Sequence, residues 1–325
     1  MPLFLKRIIL LCCFLLSQSV HTAPAFQIVA LGVNGGLVDG NLSSYLLKPI
    51  HEDNYVALDA GTLVQGLLKA FAPSVNIGDI LAHHIPAYLI SHAHLDHLMG
   101  FVMAQPELCN KQVLMAREET MRVLQSKVFN WEIWGNFGDK GVKPQLNCQH
   151  YQTIPLHQWI PIPDTKLSVK AFPLSHGNGF LSTAFLINYK KEYLLYFGDT
   201  GADTLEKGHA LQDIWTEIAP IIRKKQLHAI LLECSYTNAQ PKARLFGHLK
   251  PSLYIEALHQ LANTVNPRTP KDALKGLTVF VTHVKPTLNT INSTITAQTV
   301  VTEIQKGNDM GVDFILPNQG KKYTV

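Results

Sequence analysis

The sequence predicts a single α/β domain. Three observations carry that reading. Short apolar, partly β-branched runs alternate with helical patterns along the chain. Polar residues cluster just past the ends of those runs, where open α/β sheets place their chemistry. No Pro/Gly/Ser-rich linker divides the chain, and no period of 20–50 residues repeats.

The elements follow in order. Phe26–Val33 reads as a strand closed by the turn Asn34-Gly35-Gly36. Ser44–Leu47 and Tyr55–Leu58 read as a hairpin of buried strands, and Asp59-Ala60-Gly61-Thr62 leads into a helix over Leu63–Phe71. Ala87–Ser91 is a short apolar strand that runs into His92. Glu118–Ser126 reads as helical; Leu167–Leu174 and Ser182–Tyr189 alternate like strands. Tyr193–Phe197 is a strand before Gly198-Asp199-Thr200-Gly201, and Ala229–Leu232 is a strand before Glu233. Pro251–Leu261 is an amphipathic helix with proline in its first turn. Thr278–Val281 is a strand that leads to His283, and Phe314–Leu316 is the last strand.

Composition narrows the function classes. Hydrophobic residues make up 46% and charged residues 16%, too apolar for an intrinsically disordered chain. The net charge of +4 is mild and no run of five Lys/Arg occurs, so no nucleic-acid polymer is expected as a partner. The N-terminus carries Lys6 and Arg7, then the apolar run Ile8–Leu16, then a small-residue end at Ala23-Pro24-Ala25. This is the pattern of a secretory signal peptide over residues 1–25, with cleavage after Ala25 and the working domain at 26–325. The expected compartment is periplasmic or extracellular, with no stable membrane insertion of the mature chain, because the core is too short to span a bilayer. Cys12 and Cys13 leave with the leader. Export would pair Cys109 with Cys148 and leave Cys234 free; three buried thiols are the alternative.

The sharpest signal is His92-Ala93-His94-Leu95-Asp96-His97. Four metal-capable side chains in six residues follow Tyr88-Leu89-Ile90, which must be buried. A helix or turn that starts at Leu95 aims Asp96 and His97 beside the first two histidines, enough to begin two ion sites. Zinc suits this His/Asp set better than manganese or iron.

This motif after a strand resembles the hallmark of the metallo-β-lactamase superfamily. The resemblance implies an αββα sandwich: two mixed β-sheets packed face to face with helices outside, and a two-metal site on one rim. It also orders the remaining ligands. His176 matches the third histidine of the first site, Asp199 the bridging carboxylate, and His283 the last histidine. His92, His94 and His176 would hold one ion, and Asp96, His97 and His283 the other. Asp59 matches an aspartate that supports ligands without binding metal.

Within the superfamily, His92 to Gly100 resembles the class II cyclic-nucleotide phosphodiesterase signature. So do Leu31–Leu37 with Gly40–Ser44, Phe129-Asn130-Trp131 with Ile133-Trp134, and Glu233-Cys234-Ser235-Tyr236 with Leu245–Pro251. The tRNA-processing branch has a similar glutamate and histidine, but Leu249-Lys250 departs from its Ser-Thr, and no basic arm is visible. The implied substrate is a small cyclic nucleotide, cAMP or cGMP.

The chemistry fits those residues. Two ions ~3.5–4 Å apart activate a water and polarise a phosphoryl group. The leaving 3′ alkoxide has a high pKa and benefits from a proton donor. His248, held by Glu233, is the candidate for that task, and Asp96, His248 and Glu233 are the candidate catalytic residues. Trp131, Trp134 and Phe137 offer a base-stacking wall or simply pack. Two other readings compete. An enzyme with the same fold and metals could hydrolyse a linear phosphodiester, another ester or a lactam; a lactam hydrolase would not need Glu233 and His248. A non-catalytic metal-binding protein would be expected to have lost ligands, and here none is missing.

Overall fold

The computed structural model describes residues 23–177 and 179–325. The predicted leader therefore lies, up to residue 22, outside the described residues. Among those described, no helix is long and apolar enough to cross a membrane.

Among the described residues the strands form two seven-stranded sheets. The first contains β1 (Phe26–Gly32), β2 (Ser44–Pro49), β3 (Val56–Leu58), β4 (Ala87–Leu89), β5 (Val113–Arg117) and β6 (His150–Ile154). The second contains β7 (Trp159–Pro161), β8 (Ser168–Ser175), β9 (Leu181–Tyr189), β10 (Glu192–Phe197), β11 (Leu227–Glu233), β12 (Thr278–Thr282) and β13 (Asp313–Ile315). β14 (Lys322–Thr324) returns to pair with β1 at the edge of the first sheet. Both sheets are mixed: β3 to β6 run parallel, as do β10 to β13, and the rest pair antiparallel.

Side-chain alternation builds the layers. On β1, Ile28 and Ala30 face the second sheet, while Val29 and Leu31 face helices. The same period of two on β10 sends Leu194 and Tyr196 inward and Leu195 and Phe197 outward. Helices α1 (Val64–Phe71), α2 (Leu95–Ala104) and α3 (Glu118–Val123) cover the first sheet. Helices α4 (Ala210–Arg223), α5 (Pro251–Val265) and α6 (Ile295–Lys306) cover the second. The order is the αββα sandwich.

The structure differs from the expectation in places. The helix expected over Glu118–Ser126 ends at Val123 and continues as a π-turn to Val128. Helix α4 stands where no element was expected, although Leu211, Ile214, Trp215, Ile218 and Ala219 recur at helical spacing and are buried, with Pro220 following them near its end. Residues 129–149 form no regular element, and a disulfide between Cys109 and Cys148 closes this excursion. Cys234 is free and buried. The hairpin of β2 and β3 forms as expected.

Candidate metal and active site

Strand direction assembles the site. β10, β11 and β12 are parallel, so Asp199, Glu233 and His283 emerge together beyond their C-terminal ends. β8 delivers His176 to the same edge, and β4 of the facing sheet delivers His92 and His94. His94 stands at the N-cap of α2, whose first turn carries Asp96 and His97.

Among the described residues three groups of ligand atoms result. The first is His92, His94, His176 and Asp199; the second is Asp96, His97, Asp199 and His283. The third, Glu233, His248 and His283, shares His283 with the second, and the other two carry the predicted ligands. Asp199 divides its oxygens between those two. Its Oδ2 stands 3.6 Å from both His92 Nε2 and His176 Nε2. Its Oδ1 stands 3.2 Å from His97 Nε2 and 3.3 Å from His283 Nε2. All seven predicted metal residues are thus brought together in the predicted partition.

Surrounding partners turn the rings. His97 Nδ1 lies 2.7 Å from Asp59 Oδ2, so that nitrogen donates and Nε2 keeps a lone pair. Ser91 Oγ donates to Asp59 and so accepts from His92 Nδ1 at 2.9 Å. His176 Nδ1 donates to the Gly247 carbonyl at 2.9 Å. Ser235 Oγ donates to Glu233 and accepts from His283 Nδ1 at 3.0 Å. The backbone cooperates: Asp59 and His283 adopt the left-handed region at φ 53° and 57°. A Cβ at Gly35 would run into the His283 ring.

This arrangement fits a cation. His92 Nε2 and both Asp199 oxygens are buried with no hydrogen-bond partner. His97 Nε2 and His283 Nε2 face each other at 3.0 Å with both ring protons engaged elsewhere. Two lone pairs at that separation repel unless a positive charge stands beside them. Burial holds His92 well below the ordinary imidazole range, so its ring stays neutral and Nε2 keeps a lone pair for an ion. Burial opposes the charge on Asp199, yet the His283 and His97 rings hold its carboxyl well below the carboxylate range.

Glu233 and His248 also come together as expected, with Oε1 to Nδ1 at 2.9 Å. Glu233 further accepts from the N–H groups of Thr200, Ser235 and Leu249. Burial and the Asp199 charge push Glu233 up to about 7, against those donors, and burial pushes His248 down to about 4. Lys285 completes this network, its Nζ 2.9 Å from His248 Nε2. Lys285 and Ser235 were not legible in the sequence: one follows a ligand by two positions, the other a glutamate by two, and neither spacing marks a role.

The aromatic candidates lie otherwise. Trp131 donates from Nε1 to the Pro144 carbonyl, and Trp134 packs against the core under the first sheet. A cavity of about 410 Å³ opens beside His248, and Phe246 and Lys242 line it instead. Exposed Phe180 sets its ring 5.2 Å from that of His94. Lys250 donates to the carbonyls of Asn238 and Gln240 and ties down the loop before α5.

Comparison with known proteins agrees with this geometry. The family model for class II cAMP phosphodiesterases matches residues 25–320. The chain belongs to that family. A 3′,5′-cyclic-nucleotide phosphodiesterase of Aliivibrio fischeri is 35% identical over 328 residues, covering 97% of each chain. The crystal structure of unliganded yeast PDE1 superposes with a TM-score of 0.80 at 22% identity, covering 93% of this chain and 100% of that one. The metallo-β-lactamase fold protein YhfI of Bacillus subtilis reaches a TM-score of 0.63 at 12% identity, covering 93% of this chain and all of that one at 100%. This class II phosphodiesterase thus has a metal-dependent hydrolase fold, with His/Asp clusters able to bind metal.

Proposed function

We propose that the protein is an exported, two-zinc phosphodiesterase that hydrolyses 3′,5′-cyclic nucleotides to nucleoside 5′-monophosphates. The observation that carries this is Asp199, with one carboxylate oxygen directed to each of two ligand groups. His92, His94 and His176 would hold one ion, Asp96, His97 and His283 the other, with Asp199 between. When bound, the ions supply an activated water and a polarised phosphoryl oxygen. The all-nitrogen and oxygen donor set suits zinc.

The chain's own residues do the rest. Burial works against Asp96, but His283 and His97 hold its carboxyl well below the usual range. Asp96 therefore stays ionised, and the Gly36 N–H fixes its Oδ2 at 3.0 Å. In the net reaction the water oxygen joins phosphorus, the bond from phosphorus to the 3′ oxygen breaks, and that oxygen takes up a proton. The Glu233–His248 network serves the leaving-oxygen side. The substrate class rests on what the Aliivibrio relative is named for, joined to this site. Export is supported by the residue 1–25 pattern and by the Cys109–Cys148 disulfide, a bond that persists in oxidising compartments.

The test is an assay of chain beginning at Phe26 against cAMP, cGMP, a linear phosphodiester and a lactam, with metal analysis alongside. The expected result is a 5′-nucleotide from a cyclic substrate and about two zinc ions per chain. Full activity without bound metal, or a zinc-loaded protein inert to both cyclic nucleotides, would overturn it.

A further inference from the structure

His248 is not the outermost member of its network. Its Nδ1 faces Glu233 and its Nε2 faces the Lys285 ammonium, each at 2.9 Å. An ammonium only donates, so His248 Nε2 accepts and Nδ1 carries the ring proton. Both ring nitrogens are then engaged. Lys285 is half-buried, and its Cδ lies 3.9 Å from where a Cβ on Gly36 would stand. The Gly36 N–H in turn donates to Asp96. The lysine stem therefore passes the turn that holds Asp96, and its ammonium ends on His248.

Its charge has no protein partner. Among the described residues, Lys285 Nζ forms no ion pair, and His248 is its sole hydrogen-bond acceptor. Two of its three donors remain for something else. Lys250, the other lysine near this loop, differs: two carbonyls already hold its Nζ. A half-buried, uncompensated cation beside an anion-processing site is costly unless an anion meets it.

We propose that the Lys285 ammonium contacts the phosphodiester itself, at the leaving 3′ oxygen, and that Glu233 and His248 are positioning residues that hold it there. This rests on the phosphodiester reading of the site. The attacking water belongs between the two ligand groups, so an in-line leaving oxygen departs away from them. Lys285 stands outside both groups. A fixed cation aimed at a developing alkoxide in a water-poor site stabilises the transition state more than the ground state.

The experiment compares Lys285→Met, Lys285→Arg, His248→Ala and the Lys285→Met/His248→Ala pair, each zinc-loaded and checked by metal analysis and thermal melting. Each is assayed on cAMP and on two linear diesters, methyl p-nitrophenyl phosphate and dimethyl phosphate analogues with an alkyl leaving group. Lys285→Met should retain both ions and lose about 10²–10³-fold in kcat on alkoxide leaving groups. The loss should shrink to a few-fold on p-nitrophenolate, which needs little stabilisation. Lys285→Arg should recover part of the activity. The double variant should be little worse than Lys285→Met alone, because a unit is removed once. Near-normal kcat in Lys285→Met beside a large loss in His248→Ala would overturn the proposal, as His248 would then be the contact. Equal losses on all leaving groups would overturn it too. Wild-type protein that is inert to cAMP but cleaves linear diesters would sink the substrate reading alone. The leaving-group comparison would still test Lys285.

Discussion

Asp59 binds no metal in this arrangement, yet its replacement by asparagine should weaken metal binding. The carboxylate is fully buried and accepts four hydrogen bonds. Oδ1 takes the Ser91 N–H at 2.7 Å. Oδ2 takes Ser91 Oγ and His97 Nδ1 at 2.7 Å each and the Tyr196 hydroxyl at 2.6 Å. Asn has the same shape but a single acceptor oxygen. If that oxygen serves the Oδ2 side, the amide nitrogen meets the Ser91 N–H. If it serves the other side, the amide donates toward His97, and His97 must move its proton to Nε2. That proton would occupy the lone pair meant for the ion. Loss of a carboxylate that orients a ligand typically costs 10–100-fold in metal affinity, or about 1.4–2.7 kcal/mol. Unpaired buried donors add about 1–3 kcal/mol of destabilisation. Asp59→Asn should therefore bind its weaker ion about 10–100-fold less tightly in a chelator-competition titration, and melt at a lower temperature. Tyr196→Phe removes one of the same hydrogen bonds without touching His97. It should lower stability and leave metal affinity intact. Unchanged metal affinity in Asp59→Asn, with only its melting temperature reduced, would refute the argument.

Three further outcomes are expected. Gly35→Ala should displace the His283 ring and lower kcat/KM by ~10²-fold, the scale of a ~1 Å misplacement; normal activity with two bound ions would count against it. Replacing Cys109 and Cys148 by serine frees a loop with a sequence separation of 39; chain entropy puts the loss near ~4 kcal/mol, or about 6 °C in Tm at ~2.1 cal/mol/K per residue, read by calorimetry against the oxidised protein. Finally, burial holds His92, His94, His176, His248 and His283 below the ordinary imidazole value of 6.5. The unfolded chain therefore binds more protons just below that value, and the metal-stripped protein should lose stability as pH falls through it. His97, raised despite burial by Asp199 and Asp59, and Glu233, pushed up to about 7 by burial, work the other way, but they are two groups against five. A melting temperature that rises on acidification would contradict this.

The amino-acid sequence by itself determined the parts of this protein whose physics is local. His92 to His97 was legible because one strand end and one helix start bring four ligands together within six residues. The strand ends at Asp199, Glu233 and His283 were legible because short apolar runs stop where a polar residue can turn into a cleft. Helix α4 carries the same local signal in Leu211, Ile214, Trp215, Ile218 and Ala219, but it went unassigned. Only the tertiary structure decided how Asp199 divides its two oxygens, which ring nitrogen each histidine offers, and that Cys109 meets Cys148. It alone placed Lys285 on His248. Those contacts join residues far apart in the chain, and they depend on distances of about 3 Å and on ring rotation. Periodicity and spacing record which face a side chain occupies. They carry no record of which partner waits across the gap between two sheets.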